Sequence, residues 1–495
     1  MKYTNRILRG LRLFAIIASI TLVSSCTKFL DLKPLSISSV DAFYKTQDDF
    51  MQAVNGAYSA VTGQYGYGYY VLFADLRADN TTMLGIGGGS EQQKIAIDNF
   101  SIDATNEHTL TYWTIAYVAI QRANGVLSHI AATTFDQAKK DQYTGESEAI
   151  RALTYFNLVR IYGGVPIVTV GDVNIGESYK TPRSSVEDVY KLIVSDLTDA
   201  ISKLPATYGA ADAGRVTKGA AQSLLGQVYL GQKKYSEAAT VLKSVITDNN
   251  YSLLPKYEDN FTGNDQGNKE AIWQILYKSN SNGAGSNYSN WCAPAGSETV
   301  LIAQGGAYGF NQPTLDIYNA YTPGDLRRDV SIGVGFTNTS GVYVNARYIK
   351  LYVDRNTGSG YNDSDADWNV MRYSYVLLMC AEALNEANSG PTADAYNYIN
   401  QVRARAGLAS LSGLSQSAFR SAVYLEERLE VAFEGQRWFD LVRTGTALSV
   451  MNSKLGGSDP VGPSDAVTES QLIYPIPVNV IMTSSPGVIT QNPGY

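Results

Sequence analysis

The spacing of apolar and polar positions predicts helices over much of the chain. From Glu148 to Tyr162, the residues Ile150, Leu153, Phe156, Leu158 and Ile161 fall on roughly one side, and the run stops at Gly163-Gly164-Val165-Pro166. An apolar stripe closed by glycine, with proline following, is a helix with its C-terminal stop. Val186 to Leu204 repeats the arrangement: Val189, Leu192, Ile193, Leu197, Ala200 and Ile201 are apolar and Pro205 lies just beyond. Between the helices run loop-rich stretches that a packed array has no use for. Residues 63–70 read GQYGYGYY, 279–297 read SNSNGAGSNYSNWCAPAGS, and 354–368 read DRNTGSGYNDSDADW. Each sets Tyr or Trp among Gly, Ser and Asn, and long irregular loops in a compact fold are more often functional than idle.

Two further stretches read as helical hairpins. In Ala220 to Asp248, Leu225-Gly226, Tyr229, Ala238 and Leu242 have the spacing of a tetratricopeptide repeat, whose small residues let two helices approach closely. In Tyr373 to Gly407, Leu377, Leu378, Ala381 and Leu384 line one helix, and Ala395, Ile399 and Val402 its partner. The hairpins are more than a hundred residues apart. The expected fold is therefore mainly α, an interrupted scaffold of tetratricopeptide-like hairpins with a loop-rich, ligand-facing half.

The beginning of the chain has a different pattern. Lys2, Arg6, Arg9 and Arg12 precede an apolar run from Leu13 to Val23 with no acidic residue among them, the layout of a secretory leader. As a helix that run reaches only ~16 Å, about half of a ~30 Å hydrocarbon core, so it cannot span a membrane. It closes on Val23-Ser24-Ser25-Cys26, which resembles a bacterial lipobox cleaved before an acylated Cys26. Residues 1–25 are then a lipoprotein signal peptide. Their removal takes away four positive charges and moves the net charge from -7 to -11, so the acyl chains, not attraction to anionic lipid, must hold the protein to a membrane.

Composition narrows the chemistry. A net charge of -7 argues against a nucleic-acid partner, which needs clustered Lys and Arg. With only His108 and His129, a histidine-based triad or a zinc site with several imidazoles has almost no material. Cys292 and Cys380, the two cysteines besides Cys26, do not make a disulfide framework. The 35 Tyr outnumber the 14 Phe by more than two to one, and a ring with a polar tip suits a wet binding surface better than a dry core.

Short motifs spread along the chain carry a resemblance. They include Cys26-Thr27-Lys28-Phe29-Leu30-Asp31, Val54-Asn55-Gly56-Ala57-Tyr58, Ala78-Asp79-Asn80, Arg122-Ala123-Asn124 and Arg151-Ala152-Leu153-Thr154-Tyr155-Phe156 with Tyr162-Gly163-Gly164-Val165-Pro166. Later come Gly214-Arg215-Val216-Thr217-Lys218, Ala381-Glu382-Ala383-Leu384-Asn385-Glu386, Phe433-Glu434-Gly435-Gln436-Arg437-Trp438-Phe439-Asp440 and Tyr474-Pro475-Ile476-Pro477. In order and spread they resemble the SusD/RagB family of outer-membrane nutrient-binding lipoproteins. The resemblance implies two regions, 26–250 and 251–495, packed as one globular unit. It also implies a Bacteroidota-type outer membrane with the protein lipid-anchored and exposed at the cell surface. The implied partners are an oligosaccharide and a SusC-like TonB-dependent transporter, with no catalysis and no cofactor.

A sugar-binding surface sets pyranose C–H faces on aromatic rings, each stack burying on the order of 100 Å² and contributing roughly 2 kcal/mol. The candidate rings are Tyr67, Tyr69 and Tyr70 in the first aromatic loop, Tyr288 and Trp291 in the second, and Tyr361 and Trp368 in the third, with Trp291 foremost. Asp79 and Asn80 are candidate hydroxyl partners, although the motif also reads as a structural turn. Asp363, Asp365 and Asp367 alternate like a calcium loop, but Trp368 and Ser374 occupy the places of its glycine and bidentate glutamate. Between Glu427 and Arg443, Glu430, Glu434, Arg437, Asp440 and Arg443 recur at helical spacing. That reads as an ion-pair lattice around Trp438 and Phe439; a glycosidase carboxylate pair is the enzymatic alternative.

Overall fold

The computed structural model describes residues 43–66, 69–83, 90–171, 179–262, 266–281, 283–353, 360, 362–457, 463 and 465–495. Cys26, the signal peptide, Tyr67 and Tyr361 lie outside them.

Ten helices form the frame: α1 (Gln47–Tyr65), α2 (Glu107–His129), α3 (Gln137–Tyr162), α4 (Val186–Lys203), α5 (Lys218–Gly231), α6 (Tyr235–Thr247), α7 (Tyr373–Ala387), α8 (Ala393–Arg405), α9 (Gln416–Glu430) and α10 (Arg437–Arg443). Their starts are written in the sequence. Thr46 and Asp49 form a reciprocal capping box at α1, and Asn106, Asp136, Ser185, Thr217, Thr392 and Ser415 each cap a backbone N–H with a side-chain oxygen. The α3 stop falls at Gly163, whose φ of +73° favours glycine. Its start lies well before the Glu148 that the apolar stripe indicated, because Asp136 supplies the cap.

Each helix packs on the next, α1 through α7 in order, and α7 packs on both α8 and α9. The scaffold is interrupted in sequence but continuous in space: the chain between α6 and α7 loops out, and the α6–α7 contact makes the two hairpins neighbours. At Gly226 of α5 an added Cβ would collide with Leu242 of α6, the close approach expected of a tetratricopeptide-like hairpin. One core runs from Ala57 to Ile489.

Besides the two-residue strand Gln312–Pro313, which pairs with Thr81–Thr82, the long excursion between α6 and α7 holds among the described residues β1 (Ala271–Ile275), β2 (Ile332–Thr337), β3 (Tyr343–Ile349) and β4 (Trp368–Arg372). Strand β1 pairs antiparallel with β4, and β2 with β3; the second pair is bulged at Gly335, whose φ is +73°. Strand β4 runs directly into α7.

The tyrosines are used differently from the composition argument. Tyr65, Tyr70, Tyr112, Tyr162, Tyr288 and Tyr474 are buried, and their hydroxyls bond the core across elements. The Tyr70 hydroxyl donates to Gly435 O (3.0 Å), that of Tyr162 to Thr109 O (2.7 Å) and that of Tyr474 to Phe73 O (3.0 Å). A phenol whose one polar atom finds a buried carbonyl is a good core residue.

Candidate functional site

The three aromatic loops do meet, but facing inward. Ser286 and Ser364 exchange backbone hydrogen bonds at 2.9 Å, and Asn287 N donates to Gly66 O at 3.1 Å, lacing the second loop to the third and first. Trp368, only 2 % exposed, stacks on Tyr352 (5.5 Å, 10°) and touches Tyr288 (5.5 Å), Tyr65 (5.7 Å) and Tyr70 (6.3 Å). Tyr70, Tyr288 and Trp368 are thus core residues: neighbouring rings cover the faces a sugar would need.

The other polar candidates are likewise structural. Asp79 is buried, with Arg437 Nε at 2.7 Å and Arg428 Nη2 at 2.9 Å, while Asn80 Oδ1 accepts from Arg428 Nε at 2.8 Å. Burial pushes the Asp79 carboxyl up, but Arg437 and then Arg428 outweigh it and hold it at about 2. These residues clamp the chain after α1 to the end of α9 and the start of α10. The alternating aspartates hold a loop and no calcium cluster. Asp367 Oδ1 accepts from Tyr277 N (2.6 Å), Asp365 Oδ1 from Ser279 N (2.6 Å) and Asp363 Oδ2 from Asn280 N (2.8 Å). Among the described residues no group of three or more such side chains could hold a metal ion.

Trp291 is 7 % exposed, and its own face is not on offer. It supports a pair of rings that sequence reasoning passed over. Phe310 meets it edge-on (5.4 Å, 90°), and Tyr308 stacks on Phe310 (5.4 Å, 14°). Both are only partly buried. Among the described residues the outer face of Tyr308 meets no other ring and no cation. The segment 305–311, GGAYGFN, is held in shape by left-handed residues at Gly305, Gly306, Gly309 and Asn311. Asn290 Nδ2 donates to Gly305 O (2.9 Å) and Gly306 O (3.0 Å), and Tyr308 N donates to Asn290 O (2.9 Å). Aromatics among glycines were the signal used for the other loops, and this segment carries it too.

The helix Ser90–Asp98 borders the platform. Lys94 places its ammonium 4.8 Å from the Phe310 centroid and 5.5 Å from that of Trp291. Burial pushes the Lys94 pKa down, against the opposing fields of Glu91 and Glu107. One turn on, Asp98 accepts from Thr82 Oγ1 (2.9 Å) and Met83 N (2.8 Å), and burial raises its carboxyl to about 7. Tyr69 is partly exposed and lies 6.2 Å from His108, whose neighbour Glu107 acts on Lys94. Of the sequence candidates, Trp291 underlies this platform.

The acidic residues near α10 are held by arginines. Glu430 and Glu434 share Arg372, at 2.9 and 2.6 Å, and Arg443 holds Asp440 (2.7 Å), Glu382 (2.7 Å) and Glu427 (3.1 Å). Arg437 reaches Asp79, not Glu434 as its helical spacing suggested. All five acids are at most 14 % exposed at the side chain.

A tetratricopeptide-like array carrying a preformed aromatic platform on its loops is the framework of a binding protein. The family model described as "SusD family" matches residues 329–495, and that described as "Starch-binding associating with outer membrane" matches residues 28–230. The chain belongs to the SusD/RagB family. It is 29% identical to SusD-like protein P2 of Formosa agariphila, over 94% of this chain and 96% of that one. Among solved structures it is similar to a laminarin-binding SusD-like protein, with TM-score 0.78, 27% identity, and coverage of 91% of this chain and 100% of that chain. A SusD superfamily protein of Parabacteroides distasonis matches with TM-score 0.79 and 26% identity, over 91% and 99%. Among the described residues no helix is long and apolar enough to cross a membrane.

Proposed function

We propose that this protein is a cell-surface lipoprotein, anchored in the outer membrane through Cys26, that captures an oligosaccharide and delivers it to a SusC-like TonB-dependent transporter. The observation that carries the reading is the partly exposed Tyr308 ring, backed by Phe310 and Trp291 on the loop-rich side. A pyranose C–H face laid on that ring buries on the order of 100 Å², for roughly 2 kcal/mol, and Tyr69 with the nearby polar groups adds to it. Tyr67 and Tyr361 belong to the same proposal as further ring contacts. The laminarin-binding relative makes laminarin the first ligand to try. Binding without chemistry is supported by the acids near α10, whose carboxylates are engaged by arginine.

Calorimetric titration of the purified protein with laminarihexaose, and with a panel of other oligosaccharides, tests the reading. One class should bind in the mM to μM range, and Tyr308→Ala or Phe310→Ala should weaken it about tenfold, the loss of most of one stack. Undiminished affinity in both variants would remove the platform from the site. Shortened products in the recovered ligand would make the protein an enzyme.

A further inference from the structure

A cavity of about 250 Å³ opens where α3, α4, α5 and α10 meet, and none of the platform residues lines it. Its apolar walls are Val159, Val186, Tyr190, Phe439, Val442 and Ile473, and among its lining residues Arg160 is a guanidinium that forms no ion pair among the described residues. The Arg160 guanidinium lies over the rings of Phe156 and Phe439, 4.0 and 4.1 Å from their centroids. Its Nε donates to Phe156 O (3.3 Å), and its Nη2 to Tyr70 Oη (2.9 Å) and Asn157 Oδ1 (2.6 Å). Those acceptors are all neutral. Arg151, Arg215 and Arg372, by contrast, each meet a carboxylate at 2.6–2.8 Å. Among the described residues Arg160 forms no ion pair, and its Nη1 donors have no acceptor.

Two further charged side chains, Asp440 and Arg443, line the cavity and pair with each other. Asp440 is held by Arg443 Nε at 2.7 Å, and the other nitrogens of Arg443 bind Glu382 and Glu427. With rings over both faces of the guanidinium, its Nη1 edge is the side left for an anion. The size of the cavity sets the rest. An apolar cavity of roughly 150 Å³ holds a benzene ring, and this one leaves room beside such a ring for a carboxylate and a short link.

We propose that the cavity binds a small arylcarboxylate, its ring against Tyr190, Phe439 and Val442 and its carboxylate on the Nη1 edge of Arg160. The rival is a packing gap filled by water. Calorimetric titration of the detergent-solubilised full-length protein with cinnamate, and in parallel with the uncharged cinnamamide, separates the two. Cinnamate should bind, and cinnamamide at least tenfold more weakly. Arg160→Met should bring cinnamate down to the level of the amide. Val442→Phe fills the cavity without touching Arg160 and should abolish binding of both while the circular dichroism spectrum stays that of the wild type. No heat from cinnamate, equal affinity for acid and amide, or undiminished binding by Val442→Phe would each overturn the proposal. If Arg160→Met fails to fold because Tyr70 and Asn157 lose their partner, the comparison of acid with amide and the Val442→Phe variant decide the matter.

Discussion

Arg372 stands at the junction of β4 and α7 with its side chain fully enclosed. Its Nε donates to Glu434 Oε2 (2.8 Å); Nη1 donates to Glu270 Oε1 (2.8 Å), Ser374 Oγ (2.7 Å) and Glu430 Oε1 (2.9 Å). Nη2 donates to Glu430 O (2.7 Å) and Glu434 Oε1 (2.6 Å). Arg372→Met removes the charge and keeps much of the apolar stem. Glu270 then retains Arg405 at 2.7 Å, and Glu430 retains Arg405 and Arg327. Glu434 alone is orphaned among the described residues. Breaking one buried pair costs about 3–5 kcal/mol, and the cost stays near that range because burial already pushes the Glu434 carboxyl up, so the orphan takes a proton. With ~2.1 cal/mol/K of unfolding entropy per residue over the roughly 420 described residues, the loss lowers Tm by roughly 3–6 °C. Scanning calorimetry and guanidinium unfolding at pH 7 measure it. The double variant Arg372→Met/Glu434→Met should recover about half of the loss or more, since replacing both partners with apolar residues is far cheaper than orphaning one. A single variant within ~1 kcal/mol of wild type, or a double variant no better than the single, would refute the reasoning.

Gly226→Ala drives a methyl group into Cγ and Cδ2 of the fully buried Leu242, so thermal unfolding should show a loss of about 1–3 kcal/mol; an unchanged Tm would mean that α5 and α6 sit farther apart. Asp79→Asn tests the clamp by pH. The folded carboxyl titrates at about 2, below an unfolded aspartate, so its stabilisation is whole above about pH 4 and is lost as pH falls toward 2. That difference is worth about 2 kcal/mol. Guanidinium titrations across this range should give a shallower decline for the variant, and an equally steep one would assign acid sensitivity elsewhere.

Most of the frame was legible because its signals are local. The α4 boundaries, the Gly163 stop and both hairpins follow from residues within a turn or two of each other, where periodicity and caps act. What was not legible depends on partners far along the chain. That α6 lies on α7 is decided by surfaces more than a hundred residues apart in sequence. The inward turn of Tyr70, Tyr288 and Trp368 is of the same kind: a Gly-, Ser- and Asn-rich loop predicts irregular backbone, but the side on which its ring lands is set by Tyr352 and Tyr65, and by serines that lace the loops together. Near α10, Asp440 and Arg443 pair along the helix as their spacing indicates, whereas Glu434 and Arg437 pair with Arg372 and Asp79, supplied by other elements.

The platform presents its rings ready-made, and this has an energetic consequence. A loop that must order on binding loses about 1–2 kcal/mol per residue in backbone entropy at that moment, whereas one ordered in the free protein does not. Here the ordering is done by Asn290, whose amide nitrogen holds the carbonyls of Gly305 and Gly306, and whose backbone carbonyl accepts from Tyr308 N. Asn290→Ala removes the two amide bonds and leaves the rings of Tyr308, Phe310 and Trp291 intact. If one or two residues of the segment then have to be re-ordered, affinity for the oligosaccharide falls by about 2 kcal/mol, roughly thirtyfold. The loss should appear in calorimetry as a less favourable entropy at nearly unchanged enthalpy, because the stacking contacts still form. Tyr308→Ala should do the reverse and lose enthalpy. An Asn290→Ala protein that folds normally and binds within twofold of wild type would show that the ring pair holds its place without this anchor. The platform's rigidity would then have to come from the Trp291–Phe310 contact.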